Sequence, residues 1–218
     1  INIKRQYLTI GVNGIVEAAE SLGITIGDNA EYQQFVENIL SLIERYNKQY
    51  RTKELLFNCE MIPAENVGVK HARWDKEAGY FVPRDCYNSY FYVVEDKNID
   101  PIAKFRLHGR RYISHLTGGS ALHCNLEEHL SQSQYRHLLR VAAIEGCNYF
   151  TFNIPNTLCN DCGCIDKRYL TECPNCKSHN VDYLTRIIGY LKRVSNFSVD
   201  RQKEAARRYY GVLPRVEV

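Results

Sequence analysis

"CNDCGCIDKRYLTECPNC", residues 159–176, places two Cys-x-x-Cys pairs about forty residues before the end of a 218-residue chain. Cys159, Cys162, Cys173 and Cys176 follow C-x2-C-x10-C-x2-C, with Gly163 after the first pair and Pro174 inside the second. Each Cys-x-x-Cys turn aims two thiolates at one point, and two turns complete the tetrahedral sulfur set that Zn2+ takes. The ten-residue spacer fits a small hairpin. Redox disulfides or unrelated buried thiols are the alternatives, and ligand count and spacing favour structural zinc. With four protein ligands no position is left for water or substrate, so the metal is expected to be structural.

In a chain of this length 44% hydrophobic residues suffice for one large domain or two small ones. The sequence has no run of eighteen apolar residues, and "INIKRQYLTIG" is too short in apolar residues for a signal peptide. A soluble chain without membrane contact is expected. The first residue is Ile1, which suggests a processed or recombinant product or the tail of a longer protein. A formal charge of +3 does not by itself imply nucleic acid. The basic residues gathered near the end, among them Arg186, Lys192, Arg193, Arg201, Lys203, Arg207, Arg208 and Arg215, read as a solvated helix. Nine cysteines, four of them in Cys-x-x-Cys pairs, fit metal ligation in a reducing, cytoplasmic compartment better than a disulfide scaffold.

Strand and helix patterns alternate. "YLTIGV" (7–12) reads as a strand, Asn13 as a cap, "GIVEAAESLG" (14–23) as a helix stopped by Gly23. A second helix over 31–50 is expected to bury Phe35, Ile39, Ile43, Tyr46 and Tyr50. "TKELLFNCEMIP" (52–63) reads as a strand, residues 64–80 as an irregular charged connection, and "YNSYFYVVED" (87–96) as further aromatic strand. Between 101 and 130 loops around one short element are expected. Ser131 and Gln134 form a capping box for a helix with Tyr135, Leu138, Leu139, Ala142 and Ala143 on one face, closed by Gly146. "CNYFTFNI" (147–154) is then a strand that Pro155 ends. Such alternation predicts an α/β fold with mainly parallel strands.

Cys164 breaks the turn spacing and is left out of the ligand set. Cys59, Cys86, Cys124 and Cys147 stand alone and read as small buried residues. His108, His115, His123 and His129 share no ligand spacing and read as core or surface histidines.

"LTRIIGYLKR" (184–193) has helical apolar spacing, yet Gly189 in a helix interior costs about 1 kcal/mol relative to alanine and asks for a backbone or packing reason. This block, with "NYFTFNIPNTLCNDCGCIDKRYLTECPNC" before it and "FSVDRQKEAARR" after it, closely resembles the end of the anaerobic, class III ribonucleoside-triphosphate reductases, which are glycyl-radical enzymes. In that family a four-cysteine zinc site precedes R-x-x-G-Y-L, matched here by Arg186, Gly189, Tyr190 and Leu191. "EMIPAEN" (60–66) resembles the family's P-A-E loop, and "LTGGSALHCNLEEHL" (116–130) its threonine- and glycine-rich segment.

The resemblance implies the carboxyl-terminal part of a ten-stranded α/β barrel over 1–155, a zinc-ribbon-like element over 156–180, and a radical loop with terminal helix over 181–218. It implies that Gly189 stores a radical installed by an S-adenosylmethionine/iron–sulfur activase. That radical oxidises a cysteine, which then takes the 3'-hydrogen of a ribonucleoside triphosphate. The zinc would hold the loop in place. Glu65 and Asn66 are candidates to meet ribose, and the backbone of Thr117, Gly118, Gly119 and Ser120 to meet phosphate; ordinary loop-forming residues are an equal alternative.

No residue here matches the thiyl cysteine or an amino-terminal nucleotide-sensing domain. The chain is therefore expected to be one portion of a larger, homodimeric reductase, needing its amino-terminal partner. A non-catalytic zinc-ribbon module binding protein or nucleic acid through its basic tail is the rival from another class.

Overall fold

The computed structural model describes residues 6–62, 66–186 and 190–211. Strand β1 (Tyr7–Val12) runs parallel to β2 (Leu56–Met61) in full register, from Tyr7 against Leu56 to Val12 against Met61. A parallel neighbour requires a crossover, which α1 (Ile15–Ser21) and α2 (Ala30–Tyr50) supply. Beyond β2 lies β3 (Gly119–Ser120), parallel again. One residue later β4 (Leu122–Asn125) starts a second parallel pair with β5 (Phe150–Asn153). The stretch 119–125 thus carries the chain from one pairing to the next. All four β4 residues are buried, as expected of a strand covered on both faces.

The crossover to β5 is α6 (Gln132–Glu145), started by the expected capping box and closed by Gly146 at φ 78°. Its buried residues are Leu138 and Ala142, while Leu139 faces solvent. In α2 the buried stripe is Tyr32, Val36 and Leu40, spaced four apart. The expected face of Phe35, Ile39 and Ile43 flanks this stripe, and Tyr46 and Tyr50 are exposed, stacked on each other. Tyr32 is buried because its hydroxyl reaches the Phe91 carbonyl at 3.0 Å.

Residues 87–96 form bends rather than a strand. Their polar groups find partners in side chains and in scattered backbone groups, among them Gly14 N on Asn88 O and Tyr209 N on Val94 O, so no ladder is needed. Glu17 accepts from the backbone and side chain of Asn88 (3.1 and 2.6 Å), and Asn88 Oδ1 accepts from Val94 N (3.3 Å). Arg84 closes the cluster with bonds of 2.7 Å to both Glu17 and Glu20. Asn13 donates to Asn88 O and Ser89 Oγ, and the cap position of α1 falls to Gly14. The "irregular" connection contains α3 (Val67–Glu77). It buries only Gly68 and Ala72, a contact face too small to show as apolar periodicity.

Between 101 and 130 the structure has more than one short element: α4 (Pro101–Leu107), α5 (Arg110–Ile113), β3 and β4. Asp100 caps α4 through Ala103 N at 2.9 Å, with Pro101 at the first helical position.

The last third is antiparallel. A four-stranded sheet of order β7-β6-β8-β9 comprises β6 (Asn156–Cys159), β7 (Ile165–Asp166), β8 (Val181–Arg186) and β9 (Leu191–Arg193). The helical spacing of 184–193 is therefore overridden by strand pairing, Leu184 with Arg193 and Arg186 with Leu191. Ile187, Ile188 and Gly189 lie outside the described residues, as does Glu65. Helix α7 (Val199–Arg207) follows, and Gly211 bridges back to Leu126. Among the described residues no helix is long and apolar enough to cross a membrane.

Candidate functional site

The two Cys-x-x-Cys turns repeat one local conformation. Cys159 ends β6, Gly163 N bonds Cys159 O at 3.0 Å, and Gly163 takes φ 72°. In the second turn Lys177 N bonds Cys173 O at 3.0 Å, and Lys177 takes φ 62°. Each left-handed residue directly follows the second cysteine of its pair and turns the chain away from the sulfurs. Glycine fills the first such position; lysine, a residue that resists this conformation, fills the second.

The four thiols face one another. Cys159 Sγ lies 3.6 Å from Cys176 Sγ, and Cys162 Sγ 3.6 Å from Cys173 Sγ, each close pair taking one sulfur from each turn. All four lie within 4.8 Å of one another. A tetrahedral zinc with bonds of about 2.3 Å needs sulfurs about 3.8 Å apart, whereas a disulfide needs about 2 Å. The donor set fits zinc. Backbone N–H from Cys164, helped by the Asn175 amide, brings Cys162 down to about 6. Cys176 receives a similar bond from Ser178, but sharing protons with Cys162 and Cys159 outweighs it and pushes Cys176 up to about 12. Holding all four as thiolates at this spacing would take a cation among them. Cys164 stands outside the set.

β6 couples these turns to β8. Cys159 pairs with Val181 at the metal end, and Asn156 with Leu184 three positions on. β8 then runs past the end of β6. There the Arg186 N–H donates to Asn153 Oδ1 (3.1 Å), and the Arg186 carbonyl accepts from Arg208 Nη1 (2.7 Å). Asn153 also donates to Asn125 (2.7 Å), and Thr185 Oγ1 meets Asn153 and Tyr210. Arg201, Glu204 and Arg208 of this tail are buried, so the basic segment is not the solvated helix its composition suggests. Glu204 holds Arg208 through two bonds, 2.7 and 2.8 Å, and their mutual attraction, set against the cost of burial, lowers the Glu204 carboxyl and raises the Arg208 guanidinium.

Thr117, Gly118, Gly119 and Ser120 line an open cleft of about 480 Å3 with Glu60, Met61 and Tyr149. Two of its amides are already engaged, Gly118 N with Cys59 O (2.8 Å) and Gly119 N with Leu116 O (2.9 Å). Thr117 Oγ1 accepts from Cys59 N at 3.4 Å. Asn66 is exposed at the start of α3 and is not among the cleft's lining residues.

The isolated cysteines and the histidines behave as their isolation suggests. Cys59, Cys86, Cys124 and Cys147 are buried and free, and burial pushes their thiols up to between about 11 and about 12. His108 and His123 are core residues, His115 bonds Glu44 at 2.7 Å, and His129 is exposed.

A family model described as anaerobic ribonucleoside-triphosphate reductase matches residues 2–210. The chain belongs to that family. A solved anaerobic ribonucleotide reductase shares 32% identity with this reductase-family chain at a TM-score of 0.85, covering 96% of this chain and 35% of that one. The Thermotoga maritima enzyme in complex with dATP and CTP gives 32% and 0.78, covering 92% and 34%. The same enzyme with MES in the active site gives 32% and 0.78, covering 89% and 33%. The chain thus spans about a third of the length of these structures. No curated protein matches it.

Sequence reasoning gave Asn153 and Glu204 no role and set Arg208 on a solvated face. One signal was available, a Glu–Arg pair four apart at the end of a helix.

Proposed function

We propose that this chain is the radical-bearing, zinc-binding segment of an anaerobic ribonucleoside-triphosphate reductase, which converts ribonucleotides to 2'-deoxyribonucleotides. The observation that carries this is the four-thiol cluster whose strand pairing leads through β8 into the R-x-x-G-Y-L sequence. Zinc bound by Cys159, Cys162, Cys173 and Cys176 would supply no redox chemistry, only a fixed geometry for the turns. Strands β6, β8 and β9 then act as one unit, because β6 pairs with β8 and β8 with β9.

Gly189 is the residue that stores the radical. Loss of an α-hydrogen atom leaves an electron shared between the amide and carbonyl, and only a residue without a side chain flattens freely. The radical takes a hydrogen atom from a cysteine thiol supplied by the rest of the enzyme. The thiyl so formed removes the ribose 3'-hydrogen. Residues 1–155 form the carboxyl-terminal part of the ten-stranded barrel around that reaction, and 181–218 the radical loop and tail. Glu65 is the candidate to meet ribose, with Asn66, next in sequence, outside the cleft's lining; Thr117, Gly118, Gly119 and Ser120 shape the phosphate side of the cleft. The complete enzyme is a cytoplasmic homodimer that takes ribonucleoside triphosphates and is activated by a radical S-adenosylmethionine enzyme.

Electron paramagnetic resonance tests this reading. Activated anaerobically with the rest of the reductase, the chain should give a doublet from one electron coupled to the remaining α-hydrogen. Gly189→Ala should erase it. Absence of the doublet in the unsubstituted protein would favour a binding module.

A further inference from the structure

On the β9 side, pairing continues to Arg186 against Leu191; on the β6 side it stops at Leu184 against Asn156. Among the described residues no strand therefore pairs with Arg186 on the β6 side, where a backbone group left unbonded is costly if buried. Two side chains take the place of that strand: Asn153 from β5 accepts the Arg186 N–H, and Arg208 from the end of α7 donates to the Arg186 carbonyl. Arg208 is itself fixed. Its Nε and Nη2 form a two-pronged pair with Glu204, leaving Nη1 aimed at Arg186, with Thr185 Oγ1 at 3.5 Å. Its side chain is 4% exposed. A planar fork locked by a carboxylate on one edge can hold its remaining nitrogen in one direction, which a lysine ammonium cannot do.

We infer that Arg208 is a positioning residue: held by Glu204, it replaces the missing strand at Arg186 and so makes helix α7 the support that fixes the end of β8. The inference rests on reading Gly189, three positions beyond Arg186, as the radical site. It assigns the terminal helix a task in that chemistry without contact with substrate. The zinc turns fix the other end of the same strand, so β8 is held at both ends by independent devices.

The test uses Arg208→Lys, Arg208→Gln and Glu204→Gln in the zinc-loaded chain assembled with the rest of the reductase, with amide hydrogen exchange as the first readout. Exchange of the Arg186 amide should rise at least about tenfold in Arg208→Gln. Arg208→Lys and Glu204→Gln should fall between Arg208→Gln and the unsubstituted protein, with β1 and α2 unchanged in all three. In the activated full reductase, Arg208→Gln should yield less radical per chain than the unsubstituted protein, with Arg208→Lys recovering part. A uniform rise across the chain, or an unchanged Arg186 amide in Arg208→Gln, would overturn the inference. Should the unsubstituted reductase give no glycyl doublet, the radical assignment would fail while the exchange data still judged the contact between Arg208 and Arg186.

Discussion

Cys159 pairs with Val181 at the start of β8. The two Cys-x-x-Cys turns therefore sit at one end of a strand whose other described end, Arg186, is five residues or about 17 Å away. On the proposed reading, zinc in those turns would act on Arg186 through the β6–β8 ladder and not by contact.

Purified protein should hold about one zinc per chain, and replacing any one of Cys159, Cys162, Cys173 or Cys176 by serine should release it. Elemental analysis after dialysis against a chelator reads this. Cys164→Ser should retain the metal, since that thiol lies outside the cluster. Retention of zinc by the quadruple variant would contradict the ligand set.

Gly118 is a packing residue as well as a candidate for the substrate cleft. A Cβ added there would lie 2.9 Å from Glu60 Cβ and 3.0 Å from the Cys59 carbonyl. Gly118→Ala should therefore destabilise the chain by about 1–3 kcal/mol, because β3 must move off β2. Urea denaturation measures it. An unchanged midpoint would mean that the close approach is not maintained.

His108 and His123 are buried, and burial brings their rings down to about 3 and about 4, below an unfolded value near 6.5. Above pH about 6.5 neither state binds the extra proton, so these residues leave stability unaffected. Below it the unfolded chain takes up protons that the folded chain refuses. Stability should then fall as pH drops from about 6.5 toward 4, by up to about 1.4 kcal/mol per pH unit for each histidine. His108→Phe, which keeps the ring among Tyr90, Phe91 and Tyr92, should flatten part of that slope in denaturation series at pH 7 and pH 5.

Glu17 anchors the strandless aromatic segment by accepting from Arg84 and Asn88. Glu17→Ala leaves a buried guanidinium and amide short of a partner, a loss of about 3–5 kcal/mol. Near-neutral behaviour in thermal unfolding would show that Glu20 alone can hold Arg84.

The parts of the fold visible in the sequence are those whose signals are local. The Tyr7–Val12 strand, the Ser131 capping box and the Gly146 stop need only neighbours within a turn. The four-cysteine set was legible for the same reason, since turn chemistry and ligand spacing coincide. What escaped depends on distant partners. Residues 87–96 have strand propensity but bond to Glu17, some seventy positions earlier. Residues 184–186 and 191–193 have helical spacing but pair with each other as strands, β8 being already held by β6. Charged α3 hides its contact face in Gly68 and Ala72, and the tail's arginines look solvated until Glu204 is seen to hold two of them, Arg201 and Arg208, in buried positions.

The central claim is that Gly189 carries the radical, and intact mass spectrometry of the activated reductase before and after exposure to air tests it most directly. Oxygen adds to an α-carbon radical, and the peroxyl species fragments the backbone there. The account predicts cleavage at Gly189, releasing a piece that begins near Tyr190 and includes α7, with Gly189→Ala neither cleaved nor able to turn over while keeping its zinc. Cleavage at another glycine such as Gly163 or Gly211, or full turnover by the alanine variant, would contradict it.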